Sequence, residues 1–385
     1  MEPMMPREGE RRLEDLAVEL VSKASALAGQ VNPVVQQSMS TLVRSMNCYY
    51  SNLIEGHDTH PRDIDRALAH NYAKEPTRRA LQLEAVAHIE VQTRIDEKKD
   101  QGADPMSAEY ILWLHREFCQ RLPEELLWVE DPETHQKVRV RPGQMRDGNV
   151  AVGKHVPPSA GALEKFMGRF EEAYSPRQLS TVRQIISVGA AHHRLLWIHP
   201  FYDGNGRVAR LMSHGMLQRL GIGSSLWSVA RGLARSVNRY KELLMAADEP
   251  RRNDLDGRGS LSEAALTNFC EFFLQVCVDQ VDFMESLLQP SELLRRIENY
   301  VEDEVRAGRL PRGSFVVLRE AVLAGQVDRG QARQLTGYQE RMGRMILSKL
   351  LQKGLLLSNS PKDAVRLGFP IDVVERWFPK LYPTA

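Results

Sequence analysis

The sequence predicts a mainly α-helical protein with one small β-hairpin flap, followed by a C-terminal winged helix-turn-helix unit, and three observations carry that reading. Apolar residues recur at three-to-four spacing through most of the chain, as in Leu13, Leu16 and Leu20 or Leu266, Phe269, Phe273 and Val276, which is the period of a helix with one buried face. Period-two alternation is confined to VRVRPGQMRDGNVAVGKHVPP, Val138 to Pro158, where Pro-Gly and Asp-Gly turns punctuate it as in a hairpin. Beyond Pro290, DRGQARQLTGYQERMGRMILSKLLQKGLLLSNSPKDAVRLGF reads as a helix, a tight turn at Gly337, a second helix to about Lys353 and two short strands around Asn359-Ser360-Pro361.

Each element follows in order. Residues 1–104 are expected to form an N-terminal helical region, in which the run from Pro33 through Glu55 is an amphipathic helix closed by Gly56, a residue suited to the left-handed position after a helix end. Residues 105–290 form the core: the hairpin, a helix from about Ala162 to Tyr174, and another from Pro176 to about Leu196 with the proline in its first turn. Gly204 and Gly206 break that pattern, and VARLMSHGMLQRL restores it in a helix beginning near Asn205. DEPRRNDLDGRGSLSE, Asp248 to Glu263, is a polar loop whose end resembles a capping box, Ser260 to Glu263. A linker near Pro290 then leads to the C-terminal unit, 291–385.

Composition bounds the function. With 42% hydrophobic and 26% charged residues among 385, the chain can bury a core and reads as a soluble protein of two or three domains. Its apolar stretches are broken by charges short of the roughly 18 residues that a membrane span needs, and the start, MEPMMPREGERRLEDL, lacks a signal peptide's apolar run. The cytoplasm is the expected location and no membrane partner is expected. Net charge of +1 exerts no general pull on nucleic acid. Cys48, Cys119, Cys270 and Cys277 form no CxxC pair, so they read as core residues rather than zinc ligands or disulfides.

The chemistry concentrates in IHPFYDGNGRVAR, Ile198 to Arg210. A loop feeding a helix N-terminus presents unpaired N–H groups and partial positive charge, and Gly204 and Gly206 let such a nest approach an anion closely. Arg207 and Arg210, three apart, share a helix face and can clamp successive phosphates. Asp203 beside phosphates requires a bridging cation, best Mg²⁺, and His199 can accept a proton near neutral pH. The loose GxGxxA match within GNGRVA needs a preceding strand, whereas this one follows a helix. His192 and His193 cannot both face a metal with His199 and Asp203, because adjacent helix residues diverge.

HPFYDGNGRVAR resembles the Fic family signature, HxFx[DE]GNGRxxR, at every specified position. The resemblance implies a Fic-type helical core and an enzyme that transfers AMP from ATP, its co-substrate, to a hydroxyl of a protein, with pyrophosphate released. It implies His199 as general base and Asp203 as Mg²⁺ ligand. Asn205 with the Gly204 and Gly206 backbone would bind phosphate, Arg207 the β-phosphate and Arg210 the γ-phosphate, with Phe201 anchoring the loop. Glycine at 206, where the related Doc kinases carry lysine, favours adenylyl transfer. Asn149, Val150, Ala151 and Val152 would be the flap edge that pairs with an extended target segment. Tyr240 and Arg235 resemble residues beside the adenine pocket.

SNLIEGH, Ser51 to His57, resembles the family's inhibitory pattern [ST]xxxE[GN], with Ser51, Glu55 and Gly56 at its fixed positions. The resemblance implies that Glu55 pairs with Arg210 and denies the γ-phosphate its seat. The same site could instead remove AMP from a modified protein. A different class of reading is a DNA-binding regulator whose core senses nucleotide. From Ser291 onward 16 Lys and Arg face 11 Asp and Glu, and the second helix carries Arg341, Arg344, Lys349 and Lys353. That permits DNA binding, but target docking or homodimerisation is favoured, since phosphate-binding modules carry a denser basic face. The intact His199, Asp203, Asn205, Arg207, Arg210 set favours the enzyme, whose protein substrate could include itself.

Overall fold

The computed structural model describes residues 1–99, 103–130, 136–223 and 225–383, most of them helical. The spacing argument holds in detail: Leu13, Leu16 and Leu20 are buried on the Arg11–Gln30 helix, as are Leu266, Phe269, Phe273 and Val276 on the Glu263–Leu288 helix. The chain packs as two compact units, one of residues 1–24, 47–224 and 228–280, the other of 25–46, 225–227 and 281–385. All four cysteines are buried and unpaired. Among the described residues no helix is long and apolar enough to cross a membrane.

The first unit centres on two helices, Thr181–Ile198 and Asn205–Arg219, which pack against each other and are buried around most of their circumference, the mark of interior helices. Gly189 explains how closely a third helix approaches. A Cβ there would lie 3.3 Å from the Phe273 Cβ and 3.4 Å from the Cys270 Cα, so a larger residue would push Glu263–Leu288 away. Pro76–Asp96 and Ala108–Cys119 pack on Asn205–Arg219. Pro33–Ile54 ends where the sequence predicts, with Gly56 at φ +85°.

Three expectations are corrected. The helix read from Pro176 begins at Thr181, because Ser180 caps it through Arg183 N and Gln184 Nε2 donates to the Pro176 and Leu179 carbonyls, wrapping the proline into a turn. The capping serine of Glu263–Leu288 is Ser262, whose Oγ accepts from Ala265 N. The hairpin is displaced: its ladder joins Trp128–Glu130 to Lys137–Arg139, antiparallel, and Val152 with His155 forms only an isolated bridge. A side chain replaces the missing ladder. Arg146 is buried and donates to the carbonyls of Gly148, Pro158 and His199, at 2.8, 2.5 and 2.8 Å, satisfying by one guanidinium what a partner strand would satisfy.

In the second unit Pro290 opens the Pro290–Arg306 helix with only Gln289 between it and Leu288, a tighter junction than a linker, since a first-turn proline has no N–H to lose. Ala332–Thr336, a turn with Gly337 at φ +70°, and Glu340–Gln352 follow. Beside them lies a three-stranded antiparallel sheet in which Val365–Leu367 is central, flanked by Gln326–Val327 and Leu356–Leu357.

Candidate functional site

The loop between the two central helices is fastened by its own residues. His199 caps the first helix in the left-handed region at φ +49°, its N–H on the Leu195 carbonyl at 3.0 Å, a conformation that non-glycine residues hold only when the surroundings fix it. Phe201 is fully buried and stacks on His115 with centroids 3.8 Å apart. Asn205 clamps the same residue: its Nδ2 donates to the Phe201 carbonyl at 2.8 Å and its Oδ1 accepts from Phe201 N at 3.0 Å. Gly204, at φ +84°, turns the chain into a helix whose first turn has no side-chain cap, leaving N–H groups directed outward.

That helix end opens into a cleft of about 1160 Å³ whose lining includes Ile54, Glu55, Val152, His199, Gly206, Arg210 and Tyr240. Of the residues singled out in the sequence, Glu55, Val152, His199, Gly206, Arg210 and Tyr240 therefore meet in one place. Arg207 lies buried beneath it. Arg235 instead faces the Tyr50 hydroxyl beside Arg231. Asn149 accepts from Ala160 N at 3.0 Å through Oδ1, and Val150 and Ala151 precede the isolated bridge.

The two motif arginines share a helix face but not an environment. Arg210 donates from Nε to Ser51 Oγ at 2.8 Å, and from Nη2 to the Ser51 carbonyl at 3.1 Å and Glu55 Oε1 at 2.5 Å. The Glu55 carboxylate lies over Gly206, where a Cβ would collide with Oε1. Arg207 donates from Nη2 to both Asp203 oxygens at 2.9 Å and from Nη1 to Glu84 Oε1, with its guanidinium carbon 5.1 Å above the Phe118 ring. Tyr240 backs Arg210 and donates to His192 Nε2 at 2.7 Å, while His192 Nδ1 reaches Ser213 Oγ at 2.9 Å.

Electrostatics divide the site. Burial pushes the His199 imidazole down to about 4, with Arg146 adding to the effect, so the ring is neutral at pH 7 and open to a proton. Burial alone would raise Glu55 and Asp203, yet Arg210 and Arg207 outweigh it for Glu55, and Arg207 with Gly204 N–H for Asp203. Both carboxyls end below their ordinary range. Arg207 is held above its ordinary value by Asp203, Glu84 and Glu55 despite its burial. Among the described residues no group of three or more metal-ligating side chains occurs; His192 meets Ser213 and Tyr240, and His193 meets the Leu244 carbonyl.

Sequence reasoning missed Glu84, His57, Arg146 and His115. Glu84 is fully buried and joins His57 Nδ1, at 2.7 Å, to Arg207. A signal for it existed: Glu84, His88 and Gln92, at four-residue spacing on one helix face, are all buried. His115 accepts from Gly143 N at 3.0 Å through Nδ1.

Comparison with known proteins bears on this site. Residues 105–217 match the Fic/DOC family model. A 94-residue segment is 38% identical to the protein adenylyltransferase Fic of Drosophila melanogaster and 39% identical to that of Drosophila yakuba, covering 23% of this chain and 19% of each relative. The chain thus spans about a fifth of the length of the curated relatives it matches. A Fic family protein from Desulfovibrio desulfuricans aligns with a TM-score of 0.55 at 17% identity, over 95% of this chain and 98% of that one. Fic-1 from C. elegans aligns with a TM-score of 0.51 at 15% identity over 73% of each chain. These two likenesses show a common fold.

Proposed function

The chain carries a domain of the Fic/DOC family, and on that premise we propose that it is a protein adenylyltransferase held in check by its own Glu55. The seat of Glu55 carries the reading: an ionised carboxylate lies over Gly206, at the uncapped helix end, bonded to Arg210. It occupies the position that a terminal phosphate would take at such an anion site.

In the reaction, a target hydroxyl oxygen attacks the α-phosphorus of ATP, His199 accepts the hydroxyl proton, and the bond to pyrophosphate breaks. His199 is suited to this because it is neutral, its backbone carbonyl is held by Arg146 and its ring meets the Leu196 backbone. Added phosphate charge beside the ring lifts its pKa back toward the working range. Arg207 and Arg210 neutralise the β- and γ-phosphates, and the open N–H groups of Gly206 and its neighbours cradle them. Asp203 fits a Mg²⁺ role, since it is an ionised, half-exposed carboxylate and among the described residues no set of three protein ligands surrounds it, the kind of site that would complete its shell with phosphate oxygens and water. The ion would supply charge neutralisation of the phosphates there.

Glu55 withdraws Arg210 from this set. A hydrogen bond to a charged group contributes roughly 1.5–3 kcal/mol, so the wild-type site would misplace ATP by about one to two powers of ten. Glu55→Gly is expected to raise transfer of label from α-labelled ATP to protein by that factor. A variant that binds ATP yet labels no more protein than the wild type removes the inhibitory role.

The 149–152 edge is proposed to pair with the target segment. The C-terminal unit is read as a winged helix used for target docking or self-association. In support, Arg344 is bound to Glu340 and Lys353 to Glu304, which spends part of the basic face, while Met342 and Met345 on the same helix are 40% and 47% exposed.

A further inference from the structure

The role above uses neither Glu84 nor His57, yet both are built into the site. A fully buried carboxylate is stable only while paired, because desolvation penalises the free charge. Glu84 has two partners. One oxygen holds Arg207 Nη1, and the other meets His57 Nδ1 at 2.7 Å. On its opposite side Arg207 grips Asp203, so its guanidinium is fixed between an interior acid and a half-exposed one.

His57 follows Glu55 by two residues, and its place is set by the helix end. Gly56, at φ +85°, turns the chain so that Gly56 N bonds the Leu53 carbonyl and His57 N bonds the Asn52 carbonyl, at 3.1 and 2.9 Å, closing the helix with crossed bonds. One short segment is thereby tied to both motif arginines, by Glu55 to Arg210 and by His57 through Glu84 to Arg207.

The geometry points to Glu84 as a positioning residue for Arg207, and to the His57–Glu84 contact as a second anchor of the Glu55 segment. The inference rests on the proposed adenylyltransferase reading for its regulatory half only. Glu84 sets the guanidinium that meets the β-phosphate. Losing the His57 contact leaves that guanidinium in place and frees the segment, so Glu55 spends more time away from Arg210.

The test uses the full-length chain with two readouts, ATP affinity by calorimetry in a His199→Ala background and transfer of labelled AMP. Glu84→Gln, which keeps shape and hydrogen-bonding oxygen but removes charge, should weaken ATP binding by about tenfold even when Glu55→Gly is present. Unchanged ATP affinity in a folded Glu84→Gln protein overturns the positioning role. His57→Ala should raise basal labelling several-fold, His57→Gln, which retains a donor, should raise it less, and neither should change labelling once Glu55→Gly is present. Equal effects of His57→Ala in both backgrounds indicate a general structural role and overturn the anchor. If no variant transfers AMP, the adenylyltransferase reading fails, while the calorimetric result still decides the role of Glu84.

Discussion

Two segments border the cleft, and they are held by opposite means. Ser51 to His57 is fixed along its length by charge: Ser51 and Glu55 on Arg210, His57 on Glu84. The stretch from Arg146 to His155 is held by the Arg146 guanidinium, by Asn149 on Ala160 N and by the Val152–His155 bridge, while among the described residues Val150 and Ala151 make no backbone hydrogen bond. The first is bonded to buried side chains of the neighbouring helices and, on the proposed reading, acts as a closed gate. The second has backbone groups available, as strand addition requires.

Breaking the chemistry that both segments border should have the largest effect. In the Glu55→Gly background, His199→Ala should reduce AMP transfer by at least about 100-fold, the usual scale for a general base. Comparable labelling with and without His199 would mean that another group takes the proton. Arg146→Ala attacks the root of the second segment and the carbonyl of His199 together. Removing a buried cation that makes three hydrogen bonds should lower kcat by about tenfold and reduce stability by several kcal/mol. Single-turnover labelling and denaturant titration measure the two effects, and wild-type kcat in this variant would show that the clamp does not position the base.

A narrower break separates the segments. Ala151→Pro removes one backbone N–H from the open edge, so transfer to a protein target should fall several-fold with ATP affinity unchanged. Loss of ATP affinity in calorimetry would mean instead that the segment shapes the nucleotide site.

A separate effect, on stability and not on transfer, concerns acid. Burial holds His88 and His192 down at about 3 and His115 and His199 at about 4. Below the unfolded value of 6.5 the unfolded chain binds protons that the folded chain refuses, so stability falls as pH drops from 6.5 toward 4, by about 1.4 kcal/mol per unit for each such histidine. His57 acts the other way. Its hydrogen bond to Glu84 raises its pKa, so its contribution is full below 6.5 and fades as pH rises through the folded value. Melting curves at pH 7, 6 and 5 should show a progressive decrease in Tm, and a flat profile would contradict the burial of neutral histidines.

What was legible in the sequence follows from distance along the chain. The 198–210 motif was legible because its loop is fastened by contacts four residues apart, such as Asn205 on Phe201. Glu55 became legible only beside that motif, since its partner is 155 residues away. Glu84 lies 123 residues from Arg207 and belongs to no local motif that would point to it. The hairpin was misread because alternation reports which side chains face inward. It does not reveal that the carbonyls of Gly148 and Pro158 are satisfied by Arg146 rather than by a strand. Tyr240 did reach the cleft, but its hydroxyl is committed to His192 behind Arg210.

The most direct test of a restrained adenylyltransferase is mass spectrometry of a cell lysate incubated with ATP and Glu55→Gly protein, against the wild type. The expected result is an AMP adduct on a serine, threonine or tyrosine, on the protein itself or on a target, abundant with the variant and scarce with the wild type. A phosphate adduct in its place, or an AMP adduct equally abundant with both proteins, would contradict it.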